Sequence, residues 1–545
     1  MQKGIIWFFA VVCAIYLIGF GIDVMDVDAS QYASMSREML STGNYLQVYD
    51  LGKEYLDKPP FLFWVSALSM KIFGVNNFAY RFPSFLFALL AIYSTFKFSL
   101  LYYKKEIAYL AAIVLASCQA MFLINHDVRT DTILMSWVIF SVWQLAAWYQ
   151  YNKLYQLLLA AAGIAGGLMT KGPIALFVPI FAFGSHFILQ RNYKVFFKWE
   201  YLLALVIIGI LLLPMCIGLY QQFDLQPDKV VIGKTGVSGL RFFFWTQSFG
   251  RITGESEWNN GANIFFLIQN MLWSFLPWIL CFLIALYLDI KQLVQQRFKL
   301  LADQEWITTG GFILSYLSLG MSKYQLPHYI FVVFPFASVI TAKFLYALAF
   351  EYQFPKVKKA LEITHFILFT LLWIVLVVLL LFCFNTIPVW IGCLAVLFMI
   401  ASIVLFFQQR RSNLRLITIS LFTIMSVNLF LNFSLYPTLL KYQMGSSVGR
   451  WIHDNKIPSN RFYVYNFMHF DSLDFYAQGI IKQKDSVEDM APGDYIILAK
   501  DNLQDLEKAS KRYQVLYENN DFHITTLSLQ FINPATRPGE IKPYV

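Results

Sequence analysis

Two carboxylates follow directly on an apolar run: Asp26-Val-Asp28-Ala-Ser-Gln-Tyr32 begins where residues 5–22 end. Charge at the mouth of a membrane helix is expensive to keep, so acids there point to work on a substrate. Similar groups recur along the chain. They are Asp57-Lys58, Asp127-Val-Arg129-Thr-Asp131, Lys171 in Met-Thr-Lys-Gly-Pro173, Arg251 in Phe-Gly-Arg-Ile-Thr, and Lys323 in Ser-Lys-Tyr-Gln-Leu-Pro-His328-Tyr329. Acids and cations mixed at one membrane depth suit group transfer from a lipid-linked anion. A carboxylate takes the proton of an acceptor hydroxyl. Lys and Arg hold a phosphate and stabilise the charge that grows on it as it leaves.

The elements that position these groups must be membrane helices. The chain has 545 residues, 58% of them hydrophobic and 14% charged; a soluble domain is about half apolar and about a quarter charged. Apolar runs near 20 residues indicate a polytopic α-helical membrane protein. The short alternating segments of an outer-membrane barrel are absent from the sequence. The first run ends in an acidic segment, not a small-residue cleavage site, and reads as a retained helix. The net charge of +9 lies mostly in short loops between apolar runs, which makes it a topological signal and not a nucleic-acid footprint. All six cysteines fall within apolar runs and read as small buried hydrophobes.

The pattern predicts about 13 spans, at residues 5–22, 81–102, 107–124, 132–149, 155–169, 173–189, 201–220, 264–288, 306–320, 328–349, 364–384, 388–407 and 416–436. Alternate loops carry Lys104 and Lys105; Lys153; Arg191, Lys194 and Lys198; Lys291, Arg297 and Lys299; Lys356, Lys358 and Lys359; and Arg410, Arg411 and Arg415. These loops, with Lys3, fall on one side, which the positive-inside rule makes the cytoplasm. Residues 23–80, 221–263 and the tail then lie outside. Arg129, Lys171 and Lys323 keep a cation in outside loops. Each is either a snorkelling side chain at a helix end or part of an anion site at the outer leaflet.

Residues 1–440 thus form a transmembrane domain, and 441–545 a small α/β domain in the periplasm. In the first outside loop, residues 30–40 read as a helix with Ser30 as N-cap, ended by Gly43-Asn44. Residues 61–73 read as a helix in the membrane interface. In the tail, residues 446–454 and 502–512 read as helices, and 461–466, 495–499, 513–517 and 522–527 as strands. His469, Asp471 and Asp474 read as a solvated loop.

A family resemblance rests on the order Asp28-x-x-x-Tyr32, Ser36-Arg37-Glu38-Met39, Gly43-Asn44, Asp57-Lys58-Pro59-Pro60, Phe73-Gly74-Val75, Arg81, Thr170-Lys171-Gly172-Pro173 and Lys323 followed by Leu326-Pro327-His328-Tyr329. This order resembles the lipid A aminoarabinose transferases and the dolichyl-phosphate-mannose protein mannosyltransferases of the GT-C superfamily. The resemblance implies the GT-C fold and a multi-pass bacterial inner-membrane protein with its active site facing the periplasm. It implies an inverting transferase that takes a hexose or pentose from a polyprenyl-phosphate (undecaprenyl-phosphate) donor. The acceptor would be lipid A or another envelope glycolipid, or alternatively Ser/Thr of an exported protein.

By this resemblance Asp28 is the catalytic base. Lys58, Arg251 and Lys323 bind the donor phosphate, and Asp57, Asp131 and Asp26 are supporting acids, with Asp26 secondary. Asp57 stands where the family carries Glu. Tyr32, Arg81, Arg129, Lys171, His328 and Tyr329 are further candidate substrate contacts, and Tyr55 and Tyr324 could stack on the sugar. A phosphomonoester leaving group lets cationic side chains suffice, so no cofactor is required. A divalent metal bridging the acids is the alternative. Two rivals from other classes are a lipid-linked-sugar transporter, which calls for broken helices in related halves, and a non-catalytic scaffold, which has no use for clustered acids and bases.

Overall fold

Each apolar run is helical, but four of them are short or broken. The computed structural model describes all residues except 1, 232, 254, 256, 257, 302, 385 and 467–469, and the side chains of 2, 3, 251 and 252 are likewise outside what is described. His469 therefore lies outside the described residues. Among the described residues nine helices are long and apolar enough to cross a bilayer, and the protein is a multi-pass membrane protein. The other four of the 13 expected runs hold shorter helices. Ile174–Leu189 and Ile307–Gly320 are short, at 16 and 14 residues. The third run divides into Lys105–Ser117 and Gln119–Leu123, and the eighth into Phe266–Ser274 and Ile279–Gln295.

The two breaks meet. Gln119 N donates to Leu276 O (2.8 Å), and Trp278 Nε1 donates to Ser117 Oγ (2.9 Å). Pro277 has no N–H to continue its helix, and each break supplies partners for the other, as irregular backbone at membrane depth requires.

Thr130–Tyr151 and Leu154–Lys171 form a helical hairpin that turns at Asn152, held at φ 54°. A Cβ on Gly166 would lie 2.5 Å from the Trp137 ring, and one on Gly167 2.6 Å from Ala175 Cβ. Small residues here let the helices approach closely. The hairpin brings Asp131, in its first turn, and Lys171, in its last, to the same membrane face.

The segment after the first span forms two helices, Asp28–Thr42 and Phe61–Phe73. The first starts two residues before Ser30, which is not the N-cap; its hydroxyl instead bonds Asp26 and the Val27 carbonyl. Gly43 ends it in the left-handed region (φ 69°). Between the helices is an unpredicted hairpin, Tyr49–Asp50 with Lys53–Glu54, turning at Leu51 and Gly52. Strands of two residues are too short to show alternation. Gln222 clamps the hairpin's entry, accepting from Val48 N (3.1 Å) and donating to Val48 O (2.7 Å).

The tail holds a parallel sheet in the order Lys482–Lys484, Phe462–Tyr465, Tyr495–Ile497. Helices Met444–Asp454, Asp471–Ala477 and Leu503–Lys508 accompany it. Its second sheet pairs Asn519–Asp521 with Lys542–Tyr544. The strands expected at 513–517 and 522–527 are absent; the latter range carries the 3-10 turn Ile524–Thr526. The expected solvated loop is instead a helix with Asp474 buried, its carboxylate accepting from Ile481 N at 2.7 Å. Leu473 and Phe475 draw this helix inward, and Gly445 and Gly449 leave room for it against Met444–Asp454.

Candidate active site

Asp28 opens its helix and meets a cation from the membrane hairpin. Arg129 Nη1 donates to Asp28 Oδ2, and its Nε donates to Asp127 Oδ2 at 2.8 Å. The Asp28 side chain is still 37% exposed. Arg129 Nη1 also lies 3.5 Å from Nδ1 of His328. His328 Nε2 faces Asp131 Oδ2 at 3.5 Å, and Asp131 Oδ1 accepts from Lys171 Nζ at 2.5 Å. Lys171 Nζ sits 4.0 Å above the Tyr329 ring, a cation–π contact. Lys58 pairs with Asp57, which also accepts from Gln247 Nε2 (3.2 Å to Oδ1). Asp28, Arg129, His328, Asp131, Lys171 and Tyr329 thus form one continuous chain of polar contacts.

Two cavities meet along this chain. The first, of about 300 Å³, is rich in polar and charged side chains and is lined by Asp28, Tyr32, Asp57, Arg129 and His328, with Trp258 and Tyr324 at one wall. The second, of about 230 Å³, is mostly apolar and is lined by Leu134, Ile174, Phe177, Phe181, Phe249 and Leu319, with Lys171 also on its wall. Lys58, Asp131 and Tyr329 line both. Asp131 is 2% exposed, and its Oδ2 has no hydrogen bond. A buried acceptor oxygen at this junction is suited to an incoming N–H or O–H.

Three predicted residues fall elsewhere. Asp26 turns away from both cavities and accepts from Ser472 N (3.1 Å) and Ser472 Oγ (2.9 Å), so it is not a substrate acid. Arg81 is fully buried and donates to the carbonyls of His126 (2.9 Å), Phe20 (3.2 Å), Ile22 (2.5 Å) and Asp23 (2.8 Å). With its donors taken up by backbone and its side chain outside both cavities, it ties the end of the first span to the loop that carries Arg129. Lys323 is exposed and lines neither cavity. Arg251 opens no view of its side chain, which lies outside the described residues; its helix Gly250–Thr253 follows Phe249.

Residues the sequence did not single out also line the first cavity, among them Glu54, Gln31, Thr130 and Trp258. Trp258 packs edge-on against Tyr324, with ring centroids 5.3 Å apart. It belongs to a loop with no periodicity, and its placement follows from tertiary packing alone. Glu54 is held by Gln222 Nε2 and Lys229 Nζ, each at 2.5 Å.

Burial pushes the phenols of Tyr32 and Tyr55 well above their usual range, with Asp28 and Asp57 adding to the effect. Both remain hydroxyl donors at neutral pH. Among the described residues no three Asp, Glu, His or Cys side chains converge as a metal would need. Asp28, Asp57 and Asp131 are each turned onto a cation instead.

Residues 57–217, which carry Lys58, Arg129, Asp131 and Lys171, match the family model described as dolichyl-phosphate-mannose-protein mannosyltransferase. The whole chain superposes on the solved structure of ArnT from Cupriavidus metallidurans bound to undecaprenyl phosphate. The alignment covers 95% of this chain and 97% of that one, with a TM-score of 0.74 and 15% identity. The chain has the GT-C fold. The oligosaccharyltransferase of Archaeoglobus fulgidus shares this GT-C architecture more loosely, with a TM-score of 0.51 and 12% identity over 88% of this chain and 64% of that one. In sequence, the chain is similar to the undecaprenyl phosphate-alpha-4-amino-4-deoxy-L-arabinose arabinosyl transferase of Enterobacter sp. (strain 638), 27% identical over 330 residues, or 58% of this chain and 54% of that one. The Erwinia tasmaniensis enzyme of the same name is 29% identical over 259 residues, 46% of this chain and 44% of that one. The chain spans about half the length of the curated relatives it matches.

Proposed function

We propose that the protein is an inverting glycosyltransferase that moves a sugar from a polyprenyl-phosphate donor to an envelope glycolipid such as lipid A. One observation carries this: a polar and an apolar cavity meet at Lys58, Asp131 and Tyr329, with Lys171 beside them. A lipid-linked sugar phosphate has the same division. Its prenyl chain suits the Phe177, Phe181 and Phe249 side, its phosphate the cations at the junction, and its sugar the polar side. The likeness to an undecaprenyl-phosphate-bound structure and to transferases named for such a donor supports the choice.

Asp28 takes the proton of the acceptor hydroxyl. The acceptor oxygen attacks the anomeric carbon on the face opposite the phosphate, the carbon–oxygen bond to phosphate breaks, and the lipid phosphate leaves. Lys58 and Lys171 stabilise the charge on it. Arg129 orients Asp28 and sets it against the donor. Cations perform the stabilisation, so the step as written needs no cofactor.

The charge alternation of the loops supports an inner-membrane protein with a cytoplasmic N-terminus and a periplasmic cleft and tail. It also supports a division into a transmembrane domain, 1–440, and a periplasmic domain, 441–545. The mannosyltransferase family match over 57–217 favours one second reading, transfer to Ser/Thr of an exported protein. Mass spectrometry of lipid A and of periplasmic glycoproteins separates the two, in a strain lacking the gene and complemented with wild type or Asp28→Asn. A sugar lost from lipid A and restored only by wild type supports the first. No altered glycan in either fraction sinks both.

A further inference from the structure

The mechanism above does not use the contacts between the tail and residues 23–26, and these lie next to Asp28. Arg450 grips Asp23 with both arms, at 2.6 and 2.8 Å. Tyr476 Oη accepts from Val24 N at 2.8 Å. Gln443 donates to Val24 O (2.8 Å) and accepts from Asp26 N (2.9 Å). Ser472 donates to both oxygens of Asp26, from its backbone N–H and its hydroxyl. Ser30 then passes this hold into the helix, bonding Asp26 and the Val27 carbonyl with one hydroxyl. One turn further on, Ser34 Oγ donates to Asp471 O at 2.9 Å.

Asp28 therefore stands between two bodies. Its backbone is fixed from the tail through Asp26, Ser30 and Ser34. Its partner Arg129 and the junction residues Asp131 and Lys171 are fixed by the membrane hairpin, with Arg81 bonding the carbonyl of His126. The carboxylate must reach an acceptor bound beside a donor that the membrane helices hold. That geometry depends on how the tail is seated. A group displaced by about 1 Å forfeits roughly 100-fold in rate.

We infer that Ser472 and Asp26 are positioning residues for the reaction, and that the tail serves catalysis by setting the reach of Asp28 over the cleft. This rests on Asp28 being the base, as proposed above. Neither residue lines the cavities, so neither touches substrate. A tail that served only stability or acceptor capture would have no need to bond the residue two before the base.

The test uses the full chain in detergent or lipid, with a defined polyprenyl-phosphate sugar and lipid A as acceptor. Ser472→Ala, Asp26→Asn, their double variant, Ser472→Thr and Asp28→Asn are compared for kcat, donor KM and Tm. Positioning predicts that Ser472→Ala and Asp26→Asn lower kcat by roughly 10- to 100-fold with donor KM unchanged. The double variant falls no further than the worse single, because the Ser472 hydroxyl acts through Asp26, and Ser472→Thr retains most of kcat by keeping the hydroxyl. A fall in Tm with unchanged kcat per folded molecule overturns the inference, as does a rise in donor KM at constant kcat. If Asp26→Asn does not accumulate, Ser472→Ala, which keeps the backbone donor, decides alone. Wild type active and Asp28→Asn inactive establishes the underlying chemistry separately; Asp28→Asn as active as wild type refutes that chemistry whatever Ser472 does.

Discussion

Arg129 binds Asp28 with one nitrogen and Asp127 with another, and this joins an outer-loop helix to the membrane hairpin at the cleft. The pair is partly exposed, with the Arg129 side chain at 20% and Asp28 at 37%. It is therefore a device for orientation more than for stability. Arg129→Lys keeps the charge but cannot serve two carboxylates with a planar fork. We expect kcat to fall by about tenfold or more with Tm nearly unchanged, measured on purified protein; a wild-type kcat would show that Asp28 needs no such guide.

Lys171 and Asp131 are a buried pair, and removing one partner leaves the other charge stranded. Lys171→Met should destabilise the protein by about 3–5 kcal/mol, whereas Lys171→Met with Asp131→Asn should lose less. Thermal unfolding in detergent reads this directly. A double variant less stable than the single would show that the pair is not coupled.

Arg81 was expected to contact substrate, yet its donors are used on four backbone carbonyls. Arg81→Met leaves those carbonyls without their donor at a cost of about 1–3 kcal/mol each. We expect poor accumulation and, in the protein that does fold, an unchanged donor KM. A selective rise in KM without loss of stability would restore Arg81 to the substrate site.

The seating of the tail should depend on pH. Burial pushes the Asp521 carboxyl up to about 6, with Asp26 adding to it and the Met444 N–H opposing. Burial raises Asp26 as well, against the hydrogen bonds of Ser30 and Ser472. An acid whose folded-state pKa is raised binds its proton more tightly when folded. Its contribution is fully present below the unfolded carboxylate pKa and is lost as pH rises through about 6. Hydrogen exchange of the tail's sheet amides should therefore be slower at pH 5 than at pH 7.5 after correction for the intrinsic rate, and Asp521→Asn should shrink the difference. Equal protection at both values would contradict it.

Much of the cleft was legible in the sequence because chemistry at a membrane face leaves charged residues where apolar ones are the rule. Asp28, Lys58, Arg129, Asp131, Lys171 and His328 all stood out in this way. Spacing alone does not separate Asp26 from Asp28, and only the resemblance put Asp28 first; Asp26 is turned onto Ser472, more than 400 residues away. Arg81 and Lys323 lie off the two cavities for opposite reasons. A buried arginine satisfied by carbonyls and an exposed lysine at a loop edge look the same in sequence as a phosphate ligand. The breaks within the third and eighth runs were not legible, because they are completed by each other and not by local signals. The tail's helix at Asp471–Ala477 was hidden because its acids suggested a loop, while Leu473 and Phe475 bury it.

The most direct measurement is single-turnover transfer by the purified protein, using a polyprenyl-phosphate donor labelled in the sugar and lipid A as acceptor. Wild type should release the lipid phosphate and form labelled lipid A of opposite anomeric configuration, and Asp28→Asn should bind the donor normally while slowing transfer by roughly 100-fold or more. Transfer by Asp28→Asn at the wild-type rate, or a product that retains the donor's anomeric configuration, would contradict the proposed chemistry.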